Sequence, residues 1–354
     1  MSSTERVADE LIKEAVEQGA SDIHLSPKQK KYVANFRIHG TLYPARFFSM
    51  DEGERLVAHF KYMGGMDIGE KRKPQNGAYQ VYLHSTHLSL RLSTLPTSSS
   101  KESLVIRLLL SSSSQTTFHL SLFPSSARKL YALMHHAHGL IIFTGPTGSG
   151  KTTTLYHLIH YCSQSLHRHV ITLEDPIEKE NENALQVQVN EKAGVTYATG
   201  LKAILRHDPD VIMVGEIRDT ETAKIAIRAA LTGHLVLTTM HTKDAKGAIY
   251  RLLEFGVKWN EIQQTLLAVS AQRLVKLNCP YCHGIDEPSC PKKKFHVRSP
   301  VYELLTGKAL QSVLKEAAGE GKAYHYPLLK DLLRKGVALG FISNIEYARW
   351  FQEE

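Results

Sequence analysis

Residues 145–152 constrain the fold of this 354-residue chain more than any other stretch. They read Gly-Pro-Thr-Gly-Ser-Gly-Lys-Thr and fit the pattern G-x-x-x-x-G-K-[ST] at every position. The apolar residues 140–143 precede the pattern, as a buried strand would, and apolar residues follow it at helical spacing. Those following residues are Leu155, Leu158, Ile159 and Cys162. The stretch therefore predicts a strand, a tight loop and a helix in immediate succession.

A loop of this kind binds the phosphates of a nucleoside triphosphate. Its glycines let the backbone turn several N–H groups toward one anion, and the helix N-terminus adds a partial positive charge. We expect Lys151 to reach the β- and γ-phosphates and the Thr152 hydroxyl to ligate Mg²⁺, with ATP as the nucleotide. The predicted nucleotide-binding residues are Gly145, Pro146, Thr147, Gly148, Ser149, Gly150, Lys151, Thr152 and Thr153.

Length and composition indicate a folded chain of two domains. Single cores rarely extend beyond roughly 250–300 residues, so 354 residues favour two. A hydrophobic fraction of 42% with 22% charged residues excludes a disordered chain. The formal net charge of +8 favours acidic partners such as lipid headgroups, nucleic acid or the nucleotide, and it also fits an ordinary basic surface.

The sequence also bears on where the protein acts. No apolar run approaches the ~18 residues that a membrane-spanning helix needs, and residues 1–6 lack the basic-then-apolar order of a secretory signal. There are only 4 cysteines, which suits a reducing compartment without a disulfide framework. We therefore expect a cytoplasmic protein, with peripheral association at the inner face of the cell membrane.

Residues 1–118 are expected to form a small α+β domain that ends in a linker. A helical pattern over residues 8–16 ends before Gly19, and serine runs at 98–100 and 111–114 indicate a hairpin tip and the linker. Alternation of apolar and polar residues, as in 32–39, is typical of half-buried antiparallel strands. The predicted strands are residues 21–25, 32–39, 79–83, 88–92 and 104–110.

Residues 119–354 are expected to form an α/β domain, because strands alternate with helical patterns from residue 140 onward. Three short apolar strands follow the phosphate loop, at residues 169–173, 211–214 and 235–239. Each ends in polar residues. In open α/β sheets ligands bind beyond the carboxyl ends of the strands, so these polar ends predict the catalytic site.

The carboxylates after two of these strands are candidates for catalysis. Glu174 and Glu178 follow the first strand, where positioning of metal or water is favoured over a solvated acidic loop. After the second strand, Gly215 stands where a Walker B segment usually has its Mg²⁺-binding aspartate, and Glu216 follows it. Hydrolysis needs a group that orients water and accepts its proton, so Glu216 is the candidate general base.

Two histidines and two arginines complete the candidates. His234 and His241 bracket the third strand, and contact with the γ-phosphate is favoured over a purely structural hydrogen bond. Arg91 and Arg107 lie on predicted strands of the first domain. From the residues alone they are either solvated basic side chains or contacts to a phosphate held by the other domain or a neighbouring subunit.

Taken together, these motifs resemble the secretion ATPases, which drive type II secretion, type IV pilus and competence-pilus machines. The resemblance rests on the phosphate loop and on the segments 173–178, 206–219 and 232–242. It extends into the first domain through residues 20–25 (Ala-Ser-Asp-Ile-His-Leu), 71–77, 91–97 and 105–108, so that it spans nearly the whole chain.

The resemblance implies a homo-hexameric motor in which a PAS-like α+β domain precedes a RecA-like P-loop ATPase domain of the ASCE class, which ends in a helical subdomain. Residues 174–178 resemble the Asp box of the family, and Arg91 and Arg107 resemble its arginine fingers. The catalytic residues that it implies are Glu174, Glu178, Glu216, His234, His241, Arg91 and Arg107.

The end of the chain, residues 301–341, looks most like the short competence-pilus assembly ATPases of Gram-positive bacteria. The implied function is assembly of a competence or type IV pilus used in DNA uptake, with a polytopic inner-membrane platform protein as partner and no direct contact with nucleic acid. Pilus retraction or type II secretion is the alternative within the family. A nucleic-acid-binding RecA-like protein and a non-hydrolysing ATP-gated scaffold are the alternatives outside it.

A cysteine pair departs from the larger members of the family. Cys279-Pro-Tyr-Cys282 has the spacing of a zinc knuckle, but only Cys290 follows where those members carry a second Cys-x-x-Cys. His283 or His296 is the candidate fourth ligand. Reduced thiols without metal are the equally favoured alternative.

Overall fold

The computed structural model describes residues 3–38, 40–83, 86–97, 101–110, 120–282, 297–320 and 325–351. The chain divides into two compact units, Met1–Thr117 and Phe118–Glu354. The serine run at 98–100, the linker segment 111–119 and the residues Cys290, His283 and His296 lie outside the described residues.

The first unit is a six-stranded antiparallel sheet with two helices. The strand order is β3-β2-β1-β6-β5-β4. Its elements are α1 (Ser3–Glu17), β1 (Ala20–Pro27), β2 (Tyr32–Ile38), β3 (Thr41–Phe48), α2 (Met50–Met63), β4 (Gln75–Leu83), β5 (Thr86–Pro96) and β6 (Glu102–Leu110). The predicted helix and all five predicted strands are confirmed, whereas β3 and α2 were not predicted.

Alternation along the strands decides which face of this sheet is covered. Ile23 on β1 and Ile106 on β6 are fully buried and pack with Leu11 of α1 and Phe60 of α2. Residues between them on the same strands point to the opposite face, because successive side chains of a strand alternate. The two helices therefore cover one face and leave the polar residues of the strands on the other.

One ion pair lies inside the first unit. The ammonium of Lys61 on α2 donates to both carboxylate oxygens of Glu102, at 2.8 and 3.0 Å, and to the carbonyl oxygen of Glu70 at 2.8 Å. The side chains of Lys61 and Glu102 are 1% and 4% exposed. Such a pair is stable only while both charges are present, because water cannot reach either group to replace its partner.

The second unit is a seven-stranded sheet with the order β13-β12-β7-β11-β10-β8-β9. All neighbouring strands are parallel except β12 and β13. The strands are β7 (Gly139–Thr144), β8 (Val170–Glu174), β9 (Leu185–Gln188), β10 (Val211–Val214), β11 (Leu235–Met240), β12 (Leu266–Lys276) and β13 (Arg298–Thr306). This architecture confirms the predicted α/β class and its mainly parallel sheet.

Helices cover both faces of this sheet. They are α3 (Pro124–Leu133), α4 (Lys151–Leu166), α5 (Tyr197–Ile204), α6 (Thr220–Leu231), α7 (Ala245–Glu254), α8 (Trp259–Thr265), α9 (Gly307–Ala317), α10 (Leu329–Ala338) and α11 (Asn344–Trp350). On β7, Ile141 and Phe143 pack against α3 and α4, whereas Leu140 and Ile142 belong to the core on the other side. Burial on both faces explains why the central strands are apolar at nearly every position.

In the part of the chain that the structure describes, no helix has both the length and the apolar character required to cross a bilayer.

We predict that Lys61→Met destabilises the first unit by about 3–5 kcal/mol, because the buried Glu102 carboxylate loses its counter-charge. Urea denaturation of the full chain measures the change in the free energy of unfolding. Arg6→Met is the matched control, since it removes a cation whose partner Glu10 is solvent-exposed. The control should cost less than about 1 kcal/mol. Equal effects of the two substitutions would contradict the prediction.

Candidate nucleotide-binding site

Four parallel strands of the second unit end at one edge of its sheet. The register pairs Thr144 at the end of β7 with Met240 at the end of β11, and Val214 at the end of β10 with both Thr238 and Leu173. The chain segments that leave these strands therefore start side by side. They are the phosphate loop after β7, His241 after β11, Gly215 and Glu216 after β10, and Asp175 to Glu178 after β8.

The phosphate loop connects β7 to α4 as the sequence predicts. Gly145 has φ +141°, and a Cβ there would lie 2.6 Å from the Gln272 carbonyl oxygen, so no larger residue fits. Gly150 caps α4 in the left-handed conformation with φ +85°. The first turn of α4 thus begins directly after a loop in which Gly145 and Gly150 take conformations that favour glycine. The N–H groups of this turn have no partners within the helix.

Lys151 lies at the start of α4 with its ammonium inside the loop. Its Nζ donates to the carbonyl oxygens of Gly145 at 2.7 Å and Pro146 at 3.1 Å. Burial lowers the pKa of the Lys151 ammonium to about 8; Glu216 opposes this shift and Arg273 adds to it. A desolvated cation whose contacts are two neutral carbonyls gains strongly from an anion, so it suits a phosphate ligand.

Two further observations fit nucleotide phosphates at this loop. The Ser149 hydroxyl is buried and has no hydrogen-bond partner among the described residues. Thr152 is half-buried and Thr153 exposed at the first turn of α4. Orphaned donors are rare in protein interiors, and here the orphan lies within an anion-binding loop. The residues present therefore match the group that the sequence predicts.

Glu216 is placed between a cation and an imidazole. Its carboxylate is 14% exposed, forms an ion pair with the guanidinium of Arg218 through Oε1, and lies with Oε2 3.7 Å from Nε2 of His241. Burial, with the charge of Lys151 next, lowers the pKa of the His241 imidazole. His241 is therefore neutral near pH 7.

The surroundings of Gly215 leave no space for an aspartate side chain. A Cβ at this position would lie 2.9 Å from the Tyr197 hydroxyl and 3.2 Å from the Leu173 carbonyl oxygen. The aromatic ring and the strand backbone together occupy the space that a side chain would need. The site therefore lacks the usual Walker B carboxylate, and Glu216 is the first acidic side chain after β10.

Glu174 is held more tightly than the sequence suggested. Its side chain is buried at the end of β8, and Oε1 accepts hydrogen bonds from Thr172 Oγ1 at 2.7 Å and Gln186 Nε2 at 3.1 Å. Its Oε2 accepts a hydrogen bond from the Tyr156 hydroxyl. Both oxygens are thus engaged within the protein. Glu178 is exposed, and its charge acts on Lys151.

The comparisons with known proteins agree with this geometry. Residues 1–348 match the family described as type II/IV secretion system protein. The chain belongs to this family. It is 52% identical over 355 residues to the competence protein ComGA of Bacillus subtilis, an alignment that covers 100% of this chain and 99% of that protein. Identity to ComGA of Halalkalibacterium halodurans is 44% over 353 residues, covering 98% of each.

A solved structure of the pilus retraction motor PilT with bound ADP matches with a TM-score of 0.67 and 27% identity. It covers 97% of this chain and 96% of that one. This match and the family establish that the chain is a nucleotide-binding ATPase with the RecA-like secretion ATPase fold.

The secretion ATPase contains site residues that the sequence reasoning missed. Gln272 on β12 donates from Nε2 to the Ser149 carbonyl oxygen at 2.8 Å, and Arg273 donates to the Lys243 carbonyl oxygen at 2.8 Å. Gln272 thus braces the phosphate loop from the neighbouring strand, and Arg273 braces the segment that follows β11. Adjacent buried polar residues in a mainly apolar strand were the available signal. Arg218 was also missed, although it stands two residues after Glu216.

His234 lies away from this edge, and two predicted arginines belong to the first unit. His234 precedes β11, at the end opposite to His241, and its Nδ1 lies 3.0 Å from the Ala229 carbonyl oxygen. In the subunit it is therefore not beside the phosphate loop, because the length of β11 separates the two histidines, and its predicted role stays a prediction. Arg91 and Arg107 lie in the first unit, directly opposite each other on β5 and β6.

The zinc prediction stays open as well. Cys279 is buried and Cys282 is partly exposed, and the remaining candidate ligands lie outside the described residues. Within the described ranges, no group of three or more His, Cys, Asp and Glu side chains is arranged to hold a metal ion.

We predict that ATP binding weakens above pH 8. Below its pKa of about 8, Lys151 carries the charge that the phosphates need. Above that pH the free protein must first take up a proton, so the Kd for ATP rises by about tenfold per pH unit. Titration with a fluorescent ATP analogue between pH 8 and 9.5 measures this slope.

Lys151→Met should remove the pH dependence, and Lys202→Met, which changes an exposed lysine, should leave it intact. A Kd of the unaltered protein that stays constant over this range would show that Lys151 does not titrate there.

Proposed function

We propose that this chain is an ATP-hydrolysing motor at the inner face of the cell membrane, and that it powers assembly of a competence pilus used in DNA uptake. The observation that carries the proposal is that the buried Lys151 of the phosphate loop and the Glu216 carboxylate lie at the same edge of the sheet. The competence assignment is supported by the 52% identity to the competence protein ComGA over the whole chain.

The phosphate loop supplies the binding energy in this proposal. Lys151 exchanges its two carbonyl contacts for phosphate oxygens, and backbone N–H groups of the loop and of the first turn of α4 surround the same anion. The Thr152 hydroxyl would hold Mg²⁺, and the ion would supply charge neutralisation at the phosphates. With no Walker B aspartate, Glu174 or Glu178 would act on the ion through water.

Glu216 accepts the proton of the attacking water. Its carboxylate is only 14% exposed and is paired with Arg218 through Oε1. For Glu216 to contact the attacking water through this oxygen, Arg218 must move away, because its guanidinium occupies the position that the water would take. Neutral His241, at 3.7 Å, can donate a hydrogen bond toward Glu216 or the phosphate without adding charge.

The arginines of the first unit act in trans in this proposal. Six subunits form a ring, and Arg91 and Arg107 of one subunit approach the nucleotide held by its neighbour. Guanidinium groups stabilise the charge that develops on the transferred phosphoryl group, which accelerates hydrolysis by about 10³–10⁵-fold in other NTPases. Closing and opening of the first unit then transmits each turnover to a polytopic membrane platform protein.

A pilus retraction motor is the second candidate, because the retraction motor PilT matches over 97% of this chain. Its identity of 27% is about half of that to the competence protein, which favours assembly. A non-hydrolysing scaffold is disfavoured by the presence of both Lys151 and Glu216. A nucleic-acid-binding role rests on the charge of +8 alone and would require a salt-sensitive complex with single-stranded DNA.

We predict that Glu216→Gln lowers ATP turnover by at least about 100-fold, because the amide cannot accept the proton, while ATP binding is retained. Arg91→Ala should likewise lose turnover and retain binding. Steady-state phosphate release by the full chain measures turnover, at concentrations where rings form. The matched control Glu221→Gln changes an exposed carboxylate of α6 and should have no effect. Wild-type turnover no faster than that of Glu216→Gln would favour the scaffold.

We predict that the chain restores transformation by DNA when it replaces ComGA in Bacillus subtilis, whereas the Lys151→Ala variant does not. Transformant counts on selective plates measure the result, with immunoblots to equalise protein levels. A chain that accumulates normally, hydrolyses ATP and yields no transformants would assign the motor to retraction or secretion instead.

A further inference from the structure

The open face of the first unit carries a row of charged side chains. The strand register places Arg37 of β2 opposite Asp22 of β1, Asp22 opposite Arg107 of β6, and Arg107 opposite Arg91 of β5. Directly paired residues of adjacent strands project to the same face. Their chain neighbours Ile23 and Ile106 are buried under the helices, so the row lies on the face that the helices leave uncovered.

Asp22 is the buried, hydrogen-bonded residue of this row. Its side chain is 8% exposed, its Oδ1 accepts a hydrogen bond from Arg107 Nε at 3.0 Å, and its Oδ2 accepts one from Ser21 Oγ at 2.8 Å. Arg37 interacts with it more weakly, with Nε 4.0 Å from Oδ2, and donates instead to the Gly40 carbonyl oxygen. Among these two arginines, the carboxylate therefore interacts mainly with Arg107.

The bond through Nε has a geometric consequence. A guanidinium presents five N–H donors in a rigid plane, so one bond at Nε to a buried carboxylate restricts the direction of the other four. Among the described residues Arg107 has no other hydrogen-bond partner, and its side chain is 56% exposed. The two terminal nitrogens of Arg107 thus remain available to bind a planar or tetrahedral anion in a fixed orientation.

The charge of the row favours an anion as well. The row contains three guanidinium groups and one carboxylate. His24, two residues after Asp22 on the same face, adds no charge near neutral pH, because burial and then the charge of Arg37 lower its imidazole pKa.

We propose that Asp22 is a positioning residue, which orients Arg107 toward the phosphate groups of a nucleotide held by a neighbouring subunit. The proposal rests on the proposed function, in which Arg107 acts in trans. Asp22 itself touches no substrate. It fixes the plane of the guanidinium before the subunits close, so that less conformational entropy is lost when the anion is bound.

The test compares ATP turnover of the full-length ring with and without this contact. Asp22→Ala removes the acceptor, and we expect kcat to fall by about tenfold with the KM for ATP unchanged within about twofold, because the phosphate loop is untouched. Asp22→Asn keeps an oxygen acceptor without the charge and should fall between Asp22→Ala and the unaltered protein. Thermal unfolding and ring mass identify variants that fail to fold or assemble.

Glu14→Ala is the matched control. Glu14 accepts a hydrogen bond from Arg46 Nε at 2.7 Å in the same unit, so the substitution breaks an equally short carboxylate–arginine contact elsewhere. It should leave kcat unchanged. A loss as large as that of Asp22→Ala would show that turnover responds to stability rather than to the orientation of Arg107.

A double-mutant cycle separates this proposal from the proposed function. If Asp22 acts through Arg107, Asp22→Ala causes no further loss in the Arg107→Ala background. Unchanged turnover in Arg107→Ala would contradict the arginine role itself. Loss in Arg107→Ala with normal or raised kcat in Asp22→Ala would overturn the positioning role alone, a raised kcat meaning that Asp22 restrains the arginine.

Discussion

The parallel alignment of β7, β11, β10 and β8 is the constraint on which the catalytic site depends. Neighbouring parallel strands in register end at the same edge of the sheet. Four loops that are distant in sequence therefore start side by side at this edge. Helices on both faces keep these strands buried, and the candidate site residues lie where the strands stop. The site residues therefore need no contact with one another to be held together.

Burial then determines the chemistry of these residues. Burial lowers the pKa of the Lys151 ammonium to about 8, so that a bound phosphate would stabilise its charged form. Glu216 is mostly buried yet paired with Arg218, and Glu174 is saturated by hydrogen bonds from Thr172, Gln186 and Tyr156. The two carboxylates are thus prepared for different tasks. Glu216 is released by moving one exposed arginine, whereas Glu174 is fixed within the strand framework.

Much of the fold was predictable from the sequence, and for physical reasons. The phosphate loop, the strand before it and five of the six strands of the first unit follow from local patterns of apolar residues and glycine. The sequence did not predict β3 and α2, and the structure places His234 at the end of β11 opposite to His241, where its predicted role stays a prediction. Gln272, which braces the phosphate loop from β12, was missed because it is more than 100 residues away in sequence.

The sequence by itself predicted nucleotide binding, with residues 145–153 as the phosphate loop and Glu216 as the candidate base, because glycines and a lysine at this spacing are typical of a phosphate-binding loop. Only the tertiary structure decided which charged groups meet. The enclosure of Glu174 and the row from Arg37 through Asp22 to Arg91 depend on strand register and burial. These are properties of packed strands, and no local pattern of residues specifies them.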